Sequence, residues 1–252
     1  MARIQRSVAL GCVVMLIALH AVAQDKPPSG RSGAYEAVRR QVERSGVKVG
    51  QSVPELKVFT LEGKPAKLSA AWTARPALVV AASITCPIAQ NSCPSIVLRE
   101  RELGPKVHPV ILYTVEAHPR DGRSPYAPFT GRKSGFPHDQ PDTLEQRLEL
   151  ARSFAKRVPG VEVLVDAMDN AAWKALGGGP NMALLIGTHG KVLVKQAWFD
   201  PTAMAKEIEK LPDPPAASSS AGETCRDSGP VRHSWLSAAH SAVLLQAADL
   251  SR

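Results

Sequence analysis

Cys86 stands directly before Pro87 in the stretch SITCPIAQNSC, residues 83–93, and the next cysteine, Cys93, comes seven positions later. A cysteine attacks as its thiolate, and the free backbone N–H groups and positive end of a helix stabilise that anion. A proline directly after the cysteine fits the first helical position, where the missing N–H costs nothing. Cys86 therefore reads as a redox nucleophile at a strand-to-helix junction, with a thiol expected to titrate well below the roughly 8.5 of a free cysteine. The alternative is a small buried hydrophobe.

The spacing narrows the chemistry. A Cys-x-x-Cys exchange site needs a cysteine at position 89, which is Ala89. A peroxidase site of the peroxiredoxin kind asks for Ser or Thr three residues before the nucleophile and proline seven before it; Ser83 fits and Val79 does not. Seven residues of helix rise about 10 Å, whereas a disulfide needs its Cα atoms within about 7 Å. Cys86 and Cys93 thus share a helix face but cannot bond while the helix is intact. Cys93 and Cys225 are both candidate resolving cysteines.

These residues need a sheet to hold them. ALVVAAS (residues 77–83) and HPVILYTVEA (residues 108–117) are unbroken apolar runs of the kind that form strands buried on both faces. A helical pattern over residues 87–102 between them makes a strand-helix-strand unit, hence a parallel pair. Upstream, residues 34–44 read as a short helix. ELKVFTLEGKPAKL then reads as a hairpin turning at Glu62-Gly63-Lys64. Downstream, residues 119–142 are rich in proline, glycine and charge and read as a long surface loop.

Thr143 and Gln146 form a capping box for a helix whose apolar stripe is Leu144, Leu148, Ala151, Ala155 and Val158. A strand over residues 161–165, a short helix capped by Asp169, a hairpin turning at His189-Gly190 and a helix opened by Asp200-Pro201 complete the order. The class is α/β: a central mixed sheet flanked by helices, with an N-terminal hairpin extension.

Residues 1–23 carry basic Arg3 and Arg6, an apolar run and Ala21-Val22-Ala23, the parts of a secretory signal. Export to a periplasmic or extracellular compartment is the expectation. The remaining divisions are a helical segment over 24–50, the main domain over 51–211, a low-complexity linker over 212–233 and an amphipathic helix over 234–252. Without the signal three cysteines are left, an odd number that points to thiol chemistry and away from a disulfide scaffold. The formal charge of +8 comes from 31 basic and 23 acidic residues with no basic run interleaved with aromatics, so nucleic acid is not an expected partner. The seven histidines show no paired ligand spacing, and neither metal nor cofactor is expected.

YTVEAHPRDG (residues 113–122) resembles the signature after the second core strand of the iodothyronine deiodinases. ASITCP resembles their active-site segment, with Cys86 where the animal enzymes carry selenocysteine. TLEQR (residues 143–147) and VLVDAMDNAAWKALGGGPN (residues 163–181) extend the similarity, which spans residues 52–211.

The resemblance implies a thioredoxin-like fold. It makes Cys86 the attacking atom, sets Ser83 and Thr85 in hydrogen-bonding range, and gives Tyr113, Glu116 and His118 a proton relay. It also implies an external thiol reductant or thioredoxin-like reductase as partner, and a small-molecule or protein-thiol substrate. Pro180 is the residue expected to form the cis-proline opposite the cysteine. Two departures stand out: cysteine is a poorer nucleophile than selenocysteine, and Pro141 replaces a family histidine, with His138 nearby. A thioredoxin-fold binding or chaperone-like module without turnover is the alternative reading.

Overall fold

The computed structural model describes residues 31–104, 106–130 and 135–213. The signal segment, Cys225, the linker from residue 214 on and the expected C-terminal helix lie outside the described residues. In chain order the elements are α1 (Arg31–Arg44), β1 (Lys57–Phe59), β2 (Pro65–Lys67), a single 3-10 segment (Leu68–Trp72), β3 (Ala77–Ala82), α2 (Pro87–Ser92), α3 (Pro94–Leu103), β4 (His108–Tyr113), α4 (Ala127–Thr130), α5 (Leu144–Ala155), β5 (Glu162–Asp166), α6 (Ala171–Leu176), β6 (Ala183–Ile186), β7 (Val192–Gln196) and α7 (Pro201–Glu209).

Seven strands form one sheet in the order β2-β1-β5-β4-β3-β6-β7. Its centre is parallel: β3 pairs with β4 from Ala77↔His108 to Ala82↔Tyr113, and β4 pairs with β5. The edges are antiparallel, the β1–β2 hairpin joined to β5 on one side and β6–β7 joined to β3 on the other. Every residue of β3 is buried, as its apolar run requires of a strand covered on both faces. The hairpin turns at Gly63, whose φ of +78° suits a residue without a Cβ. From α1, Val38 and Val42 enter the same core as the sheet.

Four local expectations need correction. The helix after Cys86 is two helices, because Pro94 has no N–H to give the Gln90 carbonyl and the chain restarts there as α3. β4 ends at Tyr113 instead of continuing to Ala117; Thr114 still donates to the Ala82 carbonyl, but the chain then bends and the N–H groups of Ala117 and His118 bond to side chains. The chief cap of α6 is Asp166, whose carboxylate accepts from the N–H groups of Ala172 and Trp173, while Asp169 takes only Ala171. On α5 the capping box is present, but the inward face carries Arg147 and Phe154 beside Leu148 and Ala151, with Leu144 and Ala155 only partly covered.

Residues 119–142 are also more than a surface loop. Tyr126 is only 2% exposed, donates to the Gly178 carbonyl and accepts from the Trp173 indole. Arg120 pairs with Asp139; Arg123 pairs with Asp121 and Asp142 and donates to the Gln140 carbonyl. These pairs bind the two ends of the loop to each other.

Candidate active site

The carboxyl ends of β3 and β4, adjacent and parallel, deliver the residues singled out in the sequence to one place. Glu116 is the hub. Its Oε2 accepts from the Thr85 N–H at 3.0 Å and from Thr85 Oγ1 at 2.6 Å, and its Oε1 accepts from the Tyr113 hydroxyl. The Tyr113 hydroxyl in turn accepts from the Ile84 N–H at 3.2 Å. The bend after β4 is fixed from β3: Ser83 Oγ accepts from the Ala117 N–H, and Thr85 Oγ1 accepts from the His118 N–H at 3.0 Å. Ser83, Thr85, Tyr113 and Glu116 are all buried, and His118 is half-buried.

Two tendencies oppose each other at the carboxyl group. Burial favours its neutral form, while the bonds from Thr85 and Tyr113 favour the carboxylate. Burial is the larger effect, so the Glu116 pKa lies above the ordinary value, with His138 among the groups that pull it back. Burial and the neighbouring Glu116 likewise push the Tyr113 hydroxyl well up.

Cys86 caps α2 in an extended conformation, with Sγ accepting from the Ala89 N–H at 3.5 Å. It is 1% exposed. Desolvation outweighs the N–H groups of Ala89 and Ile88, and Glu116 adds to it, so the thiol is pushed up to about 11. This overturns the expected low titration. A helix of only six residues leaves the sulfur few aligned peptides, and the closed protein holds it away from water. Cys93 is also buried, with its thiol pushed up to about 12 chiefly by desolvation. Both are free thiols.

Pro180 is not the expected cis residue, since the described residues contain no cis peptide bond. The carbonyl before it, that of Gly179, accepts from the Trp173 indole. The residue that reaches the cysteine helix from this segment is Asn181. Its Oδ1 accepts from Ser92 Oγ at 3.1 Å, and its Nδ2 lies 3.8 Å from Cys93 Sγ.

Several members of the site carry no signal in the sequence. Gln140, inside the loop, donates to the Glu116 carbonyl and accepts from the Glu116 N–H, clasping that residue's backbone from both sides. Arg147 is 2% exposed and donates to the carbonyls of Asp166 and Ala167 behind Tyr113. A glutamine in a polar loop and an arginine on a helix both look like solvated surface until the fold encloses them.

Comparison with protein-family models matches residues 34–198 to the iodothyronine deiodinase model. The chain belongs to the iodothyronine deiodinase family. In this family member the strand-helix-strand unit β3–α2/α3–β4 and the later β6–β7–α7, with strand order β4-β3-β6-β7, make the fold thioredoxin-like. Comparison with curated proteins finds no match.

Solved structures similar to it include a thiol:disulfide interchange protein from Bacteroides sp., with 12% identity, coverage of 69% of this chain and 94% of that one, and a TM-score of 0.47. A putative thiol:disulfide interchange protein DsbE from Chlorobium tepidum has 18% identity, coverage of 65% and 97%, and a TM-score of 0.46. A secreted Mycobacterium tuberculosis disulfide oxidoreductase has 16% identity, coverage of 62% and 96%, and a TM-score of 0.43. Membership of the deiodinase family supports redox enzyme activity on this fold.

Proposed function

We propose that this protein is an exported, thiol-dependent oxidoreductase in which Cys86 is the redox nucleophile. The observation that carries the reading is the buried Thr85–Glu116–Tyr113 hydrogen-bond chain immediately beside the cysteine. Burying a carboxyl group is costly unless function or strong pairing offsets it. In the reaction, Cys86 sulfur attacks a soft or peroxidic centre: an aryl-bound iodine, a hydroperoxide oxygen or a disulfide sulfur. A bond from sulfur to that atom forms, the bond to the leaving group breaks, and the leaving group takes a proton from the acid set of Tyr113, Glu116 and His118. An external thiol converts a sulfenyl iodide or sulfenic acid at Cys86 into a mixed disulfide, releasing iodide or water; a second thiol, or the second cysteine of a thioredoxin-like reductase, then attacks that mixed disulfide, frees the Cys86 thiol and leaves as a disulfide. No metal or organic cofactor enters this scheme. The substrate is a small molecule or a protein thiol partner, and the compartment is periplasmic or extracellular, as the segment over residues 1–23 implies.

Burial of Cys86 requires that α2 or its surroundings part before attack, since a sulfur that is 1% exposed meets no substrate. The same burial favours a second reading, a binding or chaperone-like module that keeps the fold without turnover. One experiment separates them. The purified mature protein is incubated with a dithiol and, in turn, an iodinated phenol, a hydroperoxide and a small disulfide, with iodide release, peroxide loss or thiol release as readouts. The enzyme reading expects turnover on at least one of the three and its loss in Cys86→Ser. Unchanged turnover in Cys86→Ser, or none on any substrate, rejects it.

A further inference from the structure

We infer that Cys93 is the resolving thiol of Cys86, and that α2, the six-residue helix between them, is the segment that unwinds to let the two sulfurs meet. The inference rests on the redox reading of Cys86 and supplies the step after its oxidation. Seven helical residues hold the two cysteines about 10 Å apart along the axis, beyond the reach of a disulfide of about 7 Å between Cα atoms. Resolution therefore needs a helix that comes apart cheaply, and α2 is built that way.

Prolines bracket it. Pro87 opens it, and Pro94 closes it by withholding the N–H that would bond to the Gln90 carbonyl. The chain beyond restarts with a tight bond from the Ile96 N–H to the Cys93 carbonyl, so α3 does not depend on α2 for its first turn. A helix of six residues has no independent stability, and this one buries a single side chain of its own, Ala89. Ile88 is only partly covered by the core, and the side-chain hydrogen bonds that tie the helix to its surroundings join the Gln90 amide to the Ile84 carbonyl, Ser92 to Asn181 and Ser95 to the Ser92 carbonyl. A short segment with one fully buried side chain of its own, set between two buried cysteines, is the kind of unit that opens below the global unfolding free energy.

Cys86, Ala89 and Cys93 succeed one another at spacings of three and four, one above another on the inward face. Both cysteines are buried, and between them on that face lies Ala89, the smallest chiral side chain. Unwinding exposes both at once, in a loop short enough to keep their encounter frequent.

The steps balance. A hydroperoxide oxidises the Cys86 thiolate by two electrons: an S–O bond forms, the O–O bond breaks, and the alkoxide or hydroxide leaves as its conjugate acid. The Cys93 thiolate then attacks the Cys86 sulfur of the sulfenic acid; an S–S bond forms, the S–O bond breaks, and hydroxide departs as water. Two equivalents of external thiol return both cysteines to the reduced state and leave as a disulfide.

The test uses the full mature chain with hydrogen peroxide as the probe, then alkylation, a dimedone trap and peptide mapping. The expected product is a Cys86–Cys93 linkage, seen as the loss of both alkylation sites, with faster amide hydrogen exchange confined to residues 87–93. Cys93→Ala and, as a second variant, Cys93→Ser should instead accumulate the dimedone adduct at Cys86. Pro94→Ala, which lets the helix run on, should slow the linkage and, in a Cys93→Ser background, adduct formation at Cys86 as well, because the same unwinding exposes both sulfurs. A Cys86 sulfenic acid that persists in the wild type with Cys93 still alkylated, or that links to Cys225 or to another chain, overturns the inference and leaves the redox reading intact. A Cys86 that takes no oxidant overturns both.

Discussion

Alkylation of Cys86 as a function of pH tests the electrostatic account most directly. Folding carries this thiol from about 9 to about 11, because burial removes water from the sulfur and Glu116 adds repulsion. Two pH units correspond to about 100-fold fewer thiolates at any pH below 9, or nearly 3 kcal/mol. At pH 7 about one closed molecule in 10,000 carries the anion. The reagent reaches the sulfur either in the closed protein or through transient opening, and the route does not alter the midpoint. In both cases the dominant species is the closed thiol, so the rate keeps climbing until that species deprotonates.

The assay is iodoacetamide labelling with intact mass and peptide mapping, on native protein and on protein unfolded in urea. Labelling of the native protein should continue to accelerate past pH 9 towards about 11, whereas the unfolded chain should level off near 9. Glu116→Gln should move the native midpoint down, by less than the shift between folded and unfolded protein, since burial is the larger cause. A native profile that levels off at or below 9 would refute the claim that desolvation governs this sulfur.

Two further outcomes are expected. Cys86 and Cys93 both have folded pKa values above their unfolded ones, so the native state holds more protons than the unfolded state in that window. Stability should therefore be complete below about pH 9 and fall as pH rises towards 11 to 12, by about 3 kcal/mol for Cys86 alone; urea titrations of wild type and Cys86→Ala should differ in that slope, and parallel curves would contradict the sign. Thr85→Val removes the hydroxyl that donates to Glu116 and accepts from the His118 N–H, leaving a buried carboxylate oxygen short of one donor and an N–H without its acceptor. The expected loss is about 1–3 kcal/mol in denaturant unfolding, together with a raised Glu116 pKa by carbonyl-region infrared titration, and an unchanged midpoint would show that the pair is worth nothing net.

Much of the scaffold was legible in local pattern. The apolar runs of β3 and β4, the Thr143–Gln146 capping box and the Asp200-Pro201 helix start are properties of adjacent residues, and the structure has them in place. The convergence of Ser83, Thr85, Tyr113 and Glu116 was implied by the resemblance to the deiodinases, and the parallel pairing of β3 with β4 gives its physical reason, because the carboxyl ends of such strands lie side by side. The helix break at Pro94 was visible in principle, and the periodicity of Ile96 and Val97 hid it. Gln140, Arg147 and Asn181 were not legible, since each is a polar residue whose partners come from distant parts of the chain.

The sequence by itself determined the order of elements, the junction that carries Cys86 and the residue types gathered around it, because backbone propensity and hydrophobic period act over a few neighbours. Tertiary structure alone decided the titration of that cysteine, the trans peptide at Pro180 and the enclosure of Tyr126 and Arg147. Those properties depend on which groups exclude water from a point in space. Desolvation is a sum over everything packed around an atom, and Glu116 and Tyr126, both close enough to Cys86 to interact with it electrostatically, come from distant positions in the chain.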